Sequence, residues 1–182
     1  GRKPILLLGA SIYSISAFFA SLSSNIDILL ILRCFQGFGA AACLSVGRTI
    51  LSDCYEIKEA AKEMSKMTAI MAVIPISCFI FGGFLAEFLG WRTNLLALGL
   101  ISLILIIAMT FLLNETLIKK AKNISFKKMF IVYRGLLKNL SFNFFTITTA
   151  MQTSMFFAMN GFMPYEFERK GVSMSEFGIW FS

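Results

Sequence analysis

The sequence predicts an all-α integral membrane protein with five full spans and the start of a sixth. Of the 182 residues, 57% are hydrophobic and 15% are charged, whereas average soluble proteins carry about 25% charged residues. A helix needs about 20 apolar residues to cross a hydrocarbon core of about 30 Å. We therefore expect a multi-pass protein of the plasma membrane, which is the inner membrane in a bacterium. The stretches of this length are Pro4–Leu22, Ile28–Leu51, Met67–Leu89, Thr93–Leu113 and Leu140–Tyr165.

The basic residues set the expected orientation. If the connecting segments are assigned alternately to two sides from Gly1 onward, the 17 Lys and Arg residues divide very unevenly. Arg92, Arg169 and Lys170 fall on one side, Arg33 lies within a stretch, and all the others fall on the opposite side. The positive-inside rule makes that richer side cytoplasmic. Topology thus explains the net charge of +7, and the expected partner is the lipid bilayer rather than nucleic acid.

The second stretch combines small residues with a charge. Small residues four positions apart let helix backbones approach closely in lipid, and tight packing alone would explain them. Arg33 stands about 8 Å along the helix from Ile28, and a charge at a helix centre costs about 2.5–3.5 kcal/mol on insertion scales. Either Arg33 reaches the interface or pairs with Asp27, or it faces an internal cavity and tunes a proton site. The small residues form one row of Gly39, Cys43 and Gly47 and a second of Gly37, Ala41 and Ser45.

The later stretches differ in polarity. Pro75 frees a backbone carbonyl, which membrane helices tolerate, and predicts a kink in the third stretch. Thr93–Leu113 is dominated by Leu and Ile, so we expect it to face lipid over much of its surface. Leu140–Tyr165 carries polar residues that are costly against lipid. One side of it should therefore face protein or a water-filled cavity, with Gln152 and Asn160 as the expected lining residues.

A basic amphipathic segment separates the fourth and fifth stretches and divides the chain into three parts. Its apolar residues fall at helical spacing, and its cations lie mostly off that stripe. This pattern indicates a helix lying in the inner interface, where anionic headgroups favour it; a calmodulin-like partner is the alternative. The parts are residues 1–113, 114–139 and 140–182. The apolar stripe is Phe126, Met129, Phe130, Tyr133, Leu137 and Leu140, and the cations are Lys127, Lys128, Arg134 and Lys138.

The composition also argues against an enzyme. The chain has no His, and its four Cys are scattered without a CxxC motif, so we expect neither a metal site nor a cofactor. No span offers paired carboxylates for acid–base chemistry. There is no GxxxxGK[ST] motif, so no ATP site is expected either.

Several short motifs of this chain match those of a known family. Arg33 to Ala41 reads RCFQGFGAA, and this run resembles the RxxQGxGaA motif in the fourth span of the major facilitator superfamily, most closely of its Bcr/CflA-like drug:proton antiporters. Gly1 to Pro4 reads GRKP, like the end of the loop motif between spans two and three, and Asn114 to Leu117 reads NETL, like the end of span six. The resemblance covers the whole chain and implies a fragment with spans three to seven of a twelve-span protein. Further matches are Gly90-Trp91-Arg92 for the outer turn before span six, and Phe162-Met163-Pro164-Tyr165 with Gly178 for span seven and the entry to span eight.

The resemblance assigns roles residue by residue. Arg33 takes the place of the arginine implicated in proton coupling, and Arg2 and Lys3 match the basic end of the gating loop. In the third stretch the family's antiporter motif usually reads APxxxPxxGG or GPxxGG, and Phe79 stands where its second proline is expected. The remaining matches are Gln36, Gly37 and Gly39 in the fourth-span motif and Pro75, Gly82 and Gly83 in the antiporter motif.

The function that the resemblance implies is proton-coupled efflux of small amphiphilic drugs or antibiotics by alternating access. Two six-span halves would rock around a central site. Neither Asp27 nor Glu87 is a convincing proton carrier, so that acid is expected in spans outside this chain. Two alternatives are a same-fold transporter for another small solute and a remnant without transport activity. The substrate, the oligomeric state and the activity of this chain by itself are left open by the sequence.

Overall fold

The computed structural model describes residues 1–116, 126–173, 176, 177 and 179. Within these residues the regular structure is helical, as the sequence predicts. Leu117 and Gly178, which carry part of the family resemblance, lie outside the described residues. The helices in chain order are α1 (Arg2–Ser21), α2 (Ile26–Cys54), α3 (Ile57–Leu89), α4 (Trp91–Leu112), α5 (Phe126–Lys138) and α6 (Leu140–Arg169).

Local chemistry explains where these helices begin and end. Asn25 precedes α2, and its side-chain oxygen accepts a hydrogen bond of 2.9 Å from the Asp27 amide, which satisfies one of the free donors of the first turn. Gly90 joins α3 to α4 with φ +85°, a conformation that costs glycine little. Helix α2 continues to Cys54 and α3 begins at Ile57, and the two residues between them, Tyr55 and Glu56, have extended backbone.

Helix α1 makes the most extensive contacts among the first four helices, with α2 and α4. Its buried residues are mostly small, so α2 and α4 pack closely against it. Two hydroxyl groups tie α1 to α4 in opposite directions: Ser14 Oγ donates to the Gly99 carbonyl at 3.0 Å, and Ser102 Oγ donates to the Ala10 carbonyl at 3.3 Å. Helix α4 buries Leu95, at 2% exposure, and leaves most of its remaining Leu and Ile side chains exposed; that these side chains face lipid stays a prediction.

Four helices, α1 to α4, are long and apolar enough to cross a membrane. Helix α6 has the length, with 30 residues, but its Thr, Gln and Asn side chains leave it less apolar than these four, so its predicted span stays a prediction. The chain forms two compact units: α1–α4 with residues 176, 177 and 179, and α5 with α6. The predicted division at residues 113 and 139 likewise stays a prediction, and its middle part is described at residues 114–116 and from 126 onward.

Candidate functional site

The fourth-span motif lies where α2 crosses α1. Gln36 and Gly39 are the buried residues of α2, and Gly39 faces the α1 backbone so closely that a Cβ there would stand 2.5 Å from the Gly9 carbonyl oxygen and 2.8 Å from the Tyr13 amide nitrogen. One turn further, Cys43 Sγ lies 3.8 Å from the Leu6 carbonyl oxygen. The predicted close approach of small residues is thus confirmed at Gly39 and Cys43.

The second row of small residues has a different environment. A Cβ on Gly37 would meet no atom of the described chain within 4 Å, and Gly37, Ala41 and Ser45 are all exposed. Gly47, the last member of the first row, is likewise open to a Cβ within that same part of the chain. The motif therefore presents one face to α1 and leaves the other uncovered by the described helices.

Arg33 and Gln36 form a polar pair at the edge of this crossing. Arg33 Nη1 donates to Gln36 Oε1 at 3.2 Å, although Arg33 itself is exposed. Gln36 is 4% exposed, and its Nε2 has no hydrogen-bond partner among the described residues. A buried donor without a partner costs about 1–3 kcal/mol. The pair therefore offers a cation and an unused amide donor at one place on α2.

A charged cluster joins the start of α1 to the ends of α2 and α4. Arg2 Nε lies 3.0 Å from Asp53 Oδ2, and the Arg2 backbone amide donates to Glu115 Oε1 at 2.7 Å. Lys3 Nζ donates to the Thr110 carbonyl at 2.8 Å. A carboxylate at a helix N-terminus is favourable, because free amides and the helix dipole both attract negative charge.

The two acids of this cluster had no role in the sequence interpretation. The sequence names Glu115 only as part of the NETL resemblance and gives no role to Asp53. The signal for Asp53 was its position near the end of the second stretch, which alternation of the spans places on the same side as Arg2. A Cβ on Gly1 would collide with Glu115 Oε2, so the glycine of GRKP leaves room for that carboxylate.

The antiporter-motif residues lie within a continuous helix. Helix α3 runs through Pro75, which lacks the amide that would bond the Met71 carbonyl. The Gly82 carbonyl accepts a hydrogen bond from Asn94 Nδ2 of α4 at 3.0 Å, and Gly83 beside it is partly buried. Phe79, the departure from the motif, packs its ring edge-on against Phe177 with centroids 6.4 Å apart.

An apolar cavity of about 530 Å³ lies among α1, α2, α3 and α4. Its walls are hydrocarbon and sulfur, apart from the Tyr13 and Ser102 hydroxyl groups, and Ser102 already donates to α1. Such a volume suits an apolar group better than a charged one. Lining residues include Leu6, Ala10, Cys43, Met67, Leu98 and Met109.

The two predicted cavity residues, Gln152 and Asn160, belong to α6 in the second compact unit. Gln152 is exposed. Asn160 Nδ2 donates to the Phe156 carbonyl of its own helix at 2.7 Å, while its Oδ1 is buried without a partner in the described chain. A groove on α6 is lined by Phe142, Phe145, Thr146, Thr149, Thr153 and Phe157, among others, and includes neither residue. Their role as lining residues stays a prediction.

Known proteins resemble this chain over 77–100% of its length. The Multidrug resistance protein MdtL of Shewanella sp. (strain ANA-3) is 28% identical over 149 residues, which is 77% of this chain and 38% of that protein. The MdtL protein of Shewanella oneidensis is 30% identical over the same share. The Uncharacterized MFS-type transporter YdgK of Bacillus subtilis (strain 168) is 31% identical over 185 residues, covering 100% of this chain and 46% of YdgK.

The chain thus spans less than half the length of these relatives, which are named as transporters or resistance proteins. The sequence pattern of the Major Facilitator Superfamily matches residues 1–182. Together with four helices able to cross a membrane, this match shows that the chain is a multi-pass membrane protein that belongs to the Major Facilitator Superfamily.

Proposed function

We propose that this chain is a segment of a proton-coupled multidrug efflux transporter of the Bcr/CflA-like group, working by alternating access. The observation that carries the proposal is the Arg33–Gln36 pair, which lies in the motif that resembles the drug antiporters, in a chain similar to two MdtL multidrug resistance proteins. The whole-protein activity is proposed because the chain covers under half of these relatives.

Arg33 is suited to a coupling role by its surroundings. A cation within a span is costly unless it pairs or faces water, and its one hydrogen bond among the described residues is to a neutral amide. Its charge is therefore free to stabilise a carboxylate on another span and to lower the proton affinity of that carboxylate. Proton arrival at the acid would weaken this attraction, and the α2 motif would sense the change.

The charged cluster is suited to holding one end of the spans together reversibly. Arg2 and Asp53 are about one-third exposed, at 34% and 30%, and such ion pairs contribute roughly 0.2–1 kcal/mol each. Contacts of this size can break and re-form during a transport cycle. We propose that the cluster, with Arg2 and Lys3 as the gating-loop remnant, belongs to the cytoplasmic closure.

The solute is a small amphiphilic compound in this proposal, and protons are the driving ion. The apolar cavity supports an amphiphilic rather than a strongly polar solute, since its walls offer few polar groups. A same-fold transporter for another solute is the second candidate, because YdgK matches the entire chain and its name carries no substrate.

The test is proton-driven dye efflux by the complete transporter carrying Arg33→Ala. We expect efflux to fall by more than about tenfold, the factor that a 1.4 kcal/mol loss of coupling energy produces, while membrane insertion stays normal. The matched control is Arg48→Ala, which removes an exposed cation from the same helix outside the motif. Unchanged efflux in Arg33→Ala would refute the coupling role, and efflux of a single metabolite instead of several dyes would favour the second candidate.

A further inference from the structure

Helix α5 exposes an apolar stripe bordered by cations. Phe130, Tyr133 and Leu137 are 72%, 61% and 66% exposed, and helical spacing places these three on one face. Arg134 and Lys138 are one turn apart, next to that stripe, and both are exposed. Among the described residues neither cation has an ionic partner. This arrangement presents apolar side chains and positive charge to the same external surface.

A helix of this length depends on contacts outside itself for stability. Helix α5 has 13 residues, and isolated helices shorter than about 12–15 residues are marginal in water. Its contacts within its own unit are with α6, and they leave the apolar stripe uncovered. Whatever covers the stripe therefore stabilises the helix itself.

The charge of the surrounding sequence defines the partner. From Leu117 to Tyr165 the chain contains no Asp or Glu. A partner must therefore supply the negative charge while accepting apolar side chains. The inner surface of a bilayer with anionic lipids does both, because headgroups meet the cations while acyl chains meet the stripe. The cations of this segment are Lys119, Lys120, Lys122, Lys127, Lys128, Arg134 and Lys138.

The joint between α5 and α6 is a fixed corner. Asn139 closes α5 by donating its amide to the Leu136 carbonyl at 3.0 Å, and its side chain caps α6 by accepting from the Phe142 amide at 3.2 Å. Asn143, in the first turn of α6, donates from Nδ2 back to the Leu137 carbonyl of α5 at 2.6 Å. The end of α5 is therefore satisfied by the Asn139 backbone amide and the Asn143 side chain, and the start of α6 by the Asn139 side chain.

We propose that α5 is a docking helix for anionic phospholipid and that the Asn139–Asn143 corner transmits its position on the membrane surface to α6. The proposal does not depend on which solute is transported. The conformation of α6 would then depend on the lipid composition of the inner leaflet. When α5 leaves the membrane surface, this short helix loses the contacts that stabilise it.

Hydrogen–deuterium exchange of the intact protein in lipid nanodiscs tests this. We expect the amides of α5 to be strongly protected in phosphatidylcholine with about 30% phosphatidylglycerol and weakly protected in phosphatidylcholine alone, because a cation near an anionic surface contributes about a fivefold factor in binding. Arg134→Gln combined with Lys138→Gln should lower protection in the anionic discs by about 25-fold. The matched control is Arg169→Gln with Lys170→Gln, which removes the same charge at the other end of α6 and should leave α5 protected.

A second variant separates docking from folding. Asn143→Ala removes the bond to the Leu137 carbonyl, so α5 should keep its lipid-dependent protection while the first turn of α6 loses the response to lipid. Equal protection of α5 in both disc compositions would overturn the proposal. Protection that requires an added acidic protein, and not phosphatidylglycerol, would overturn it in favour of a protein partner.

Discussion

Ser14 of α1 and the threonines of α6 use their hydroxyl groups in opposite ways. Ser14 of α1 donates across the helix boundary to Gly99 of α4, whereas the four described Thr side chains of α6 donate to carbonyls four residues earlier in their own helix, at 2.7–2.9 Å. The same chemical group thus binds a neighbouring helix at Ser14 and is satisfied within its own helix at the threonines of α6. Polarity in a span does not by itself require a cavity, since a locally bonded threonine costs little in lipid.

This comparison reduces the number of residues that support the predicted polar environment of α6. Because its threonines are satisfied internally, the argument for a polar environment depends on Gln152 and Asn160. A glutamine side chain cannot satisfy all of its donors on its own helix, and Asn160 Oδ1 is already buried without a partner in the described chain. These two residues are therefore the sites at which a partner for α6 is expected.

The largest expected effect comes from adding one methyl group to the α1–α2 crossing. Gly39→Ala would place a Cβ against backbone atoms of Gly9 and Tyr13, which cannot rotate away, so we expect a loss of about 3 kcal/mol in the free energy of unfolding. Unfolding in mixed detergent micelles measures it. Gly37→Ala is the matched control, because its Cβ meets open space in the described chain and alanine favours helix. Equal effects of the two substitutions would contradict the close crossing.

A smaller effect is expected from removing a hydroxyl that bonds across helices. Ser14→Ala deletes the bond to Gly99 in a site that is 3% exposed, and interhelical hydrogen bonds in membrane proteins average about 0.6 kcal/mol. Thr149→Val on α6 removes a hydroxyl that bonds its own helix and should change stability by less. If Thr149→Val proves the more costly, the contrast between the two helices is wrong.

The smallest expected effect is at the charged cluster. Asp53→Asn removes the negative partner of Arg2, and a partly exposed ion pair contributes about 0.5 kcal/mol. The same unfolding assay with Arg2→Gln and the double variant gives the coupling energy directly. A coupling energy of zero would show that the two side chains act independently, whereas a coupling energy that falls as salt is added is expected if they interact.

The sequence predicted the helices because apolar stretches of membrane length leave few alternatives. Their partners were harder to predict. The spacing of the Gly39 row predicted a close helix crossing, and the structure has that crossing at Gly39. The spacing could not tell Gly39 from Gly47, because the choice between them depends on which side of α2 faces α1. The spacing of residues predicts that a segment is a helix, whereas the direction in which each face of that helix points is set by its packing against neighbouring helices.

The sequence predicted the residues of the candidate site that lie within one motif. It did not predict the contacts between residues that are far apart in the chain. Arg33 and Gln36 are three residues apart, so their pairing follows from helical geometry. Asp53 and Glu115 meet the start of α1 from 51 and 113 residues away, and only the fold brings them there. An acidic residue at the end of a span gives no local sign of the basic partner it will meet.

The cavity beside α3 has a consequence for motion within the first four helices. Interiors packed to crystal density resist sliding, because each shift loses many dispersion contacts at once. Helix α3 borders about 530 Å³ of apolar space, and the Asn94–Gly82 bond fastens it to α4 near its far end. If α3 turns about that hydrogen bond, it can tilt toward the cavity with little loss of contact, while α1, α2 and α4 keep their packing.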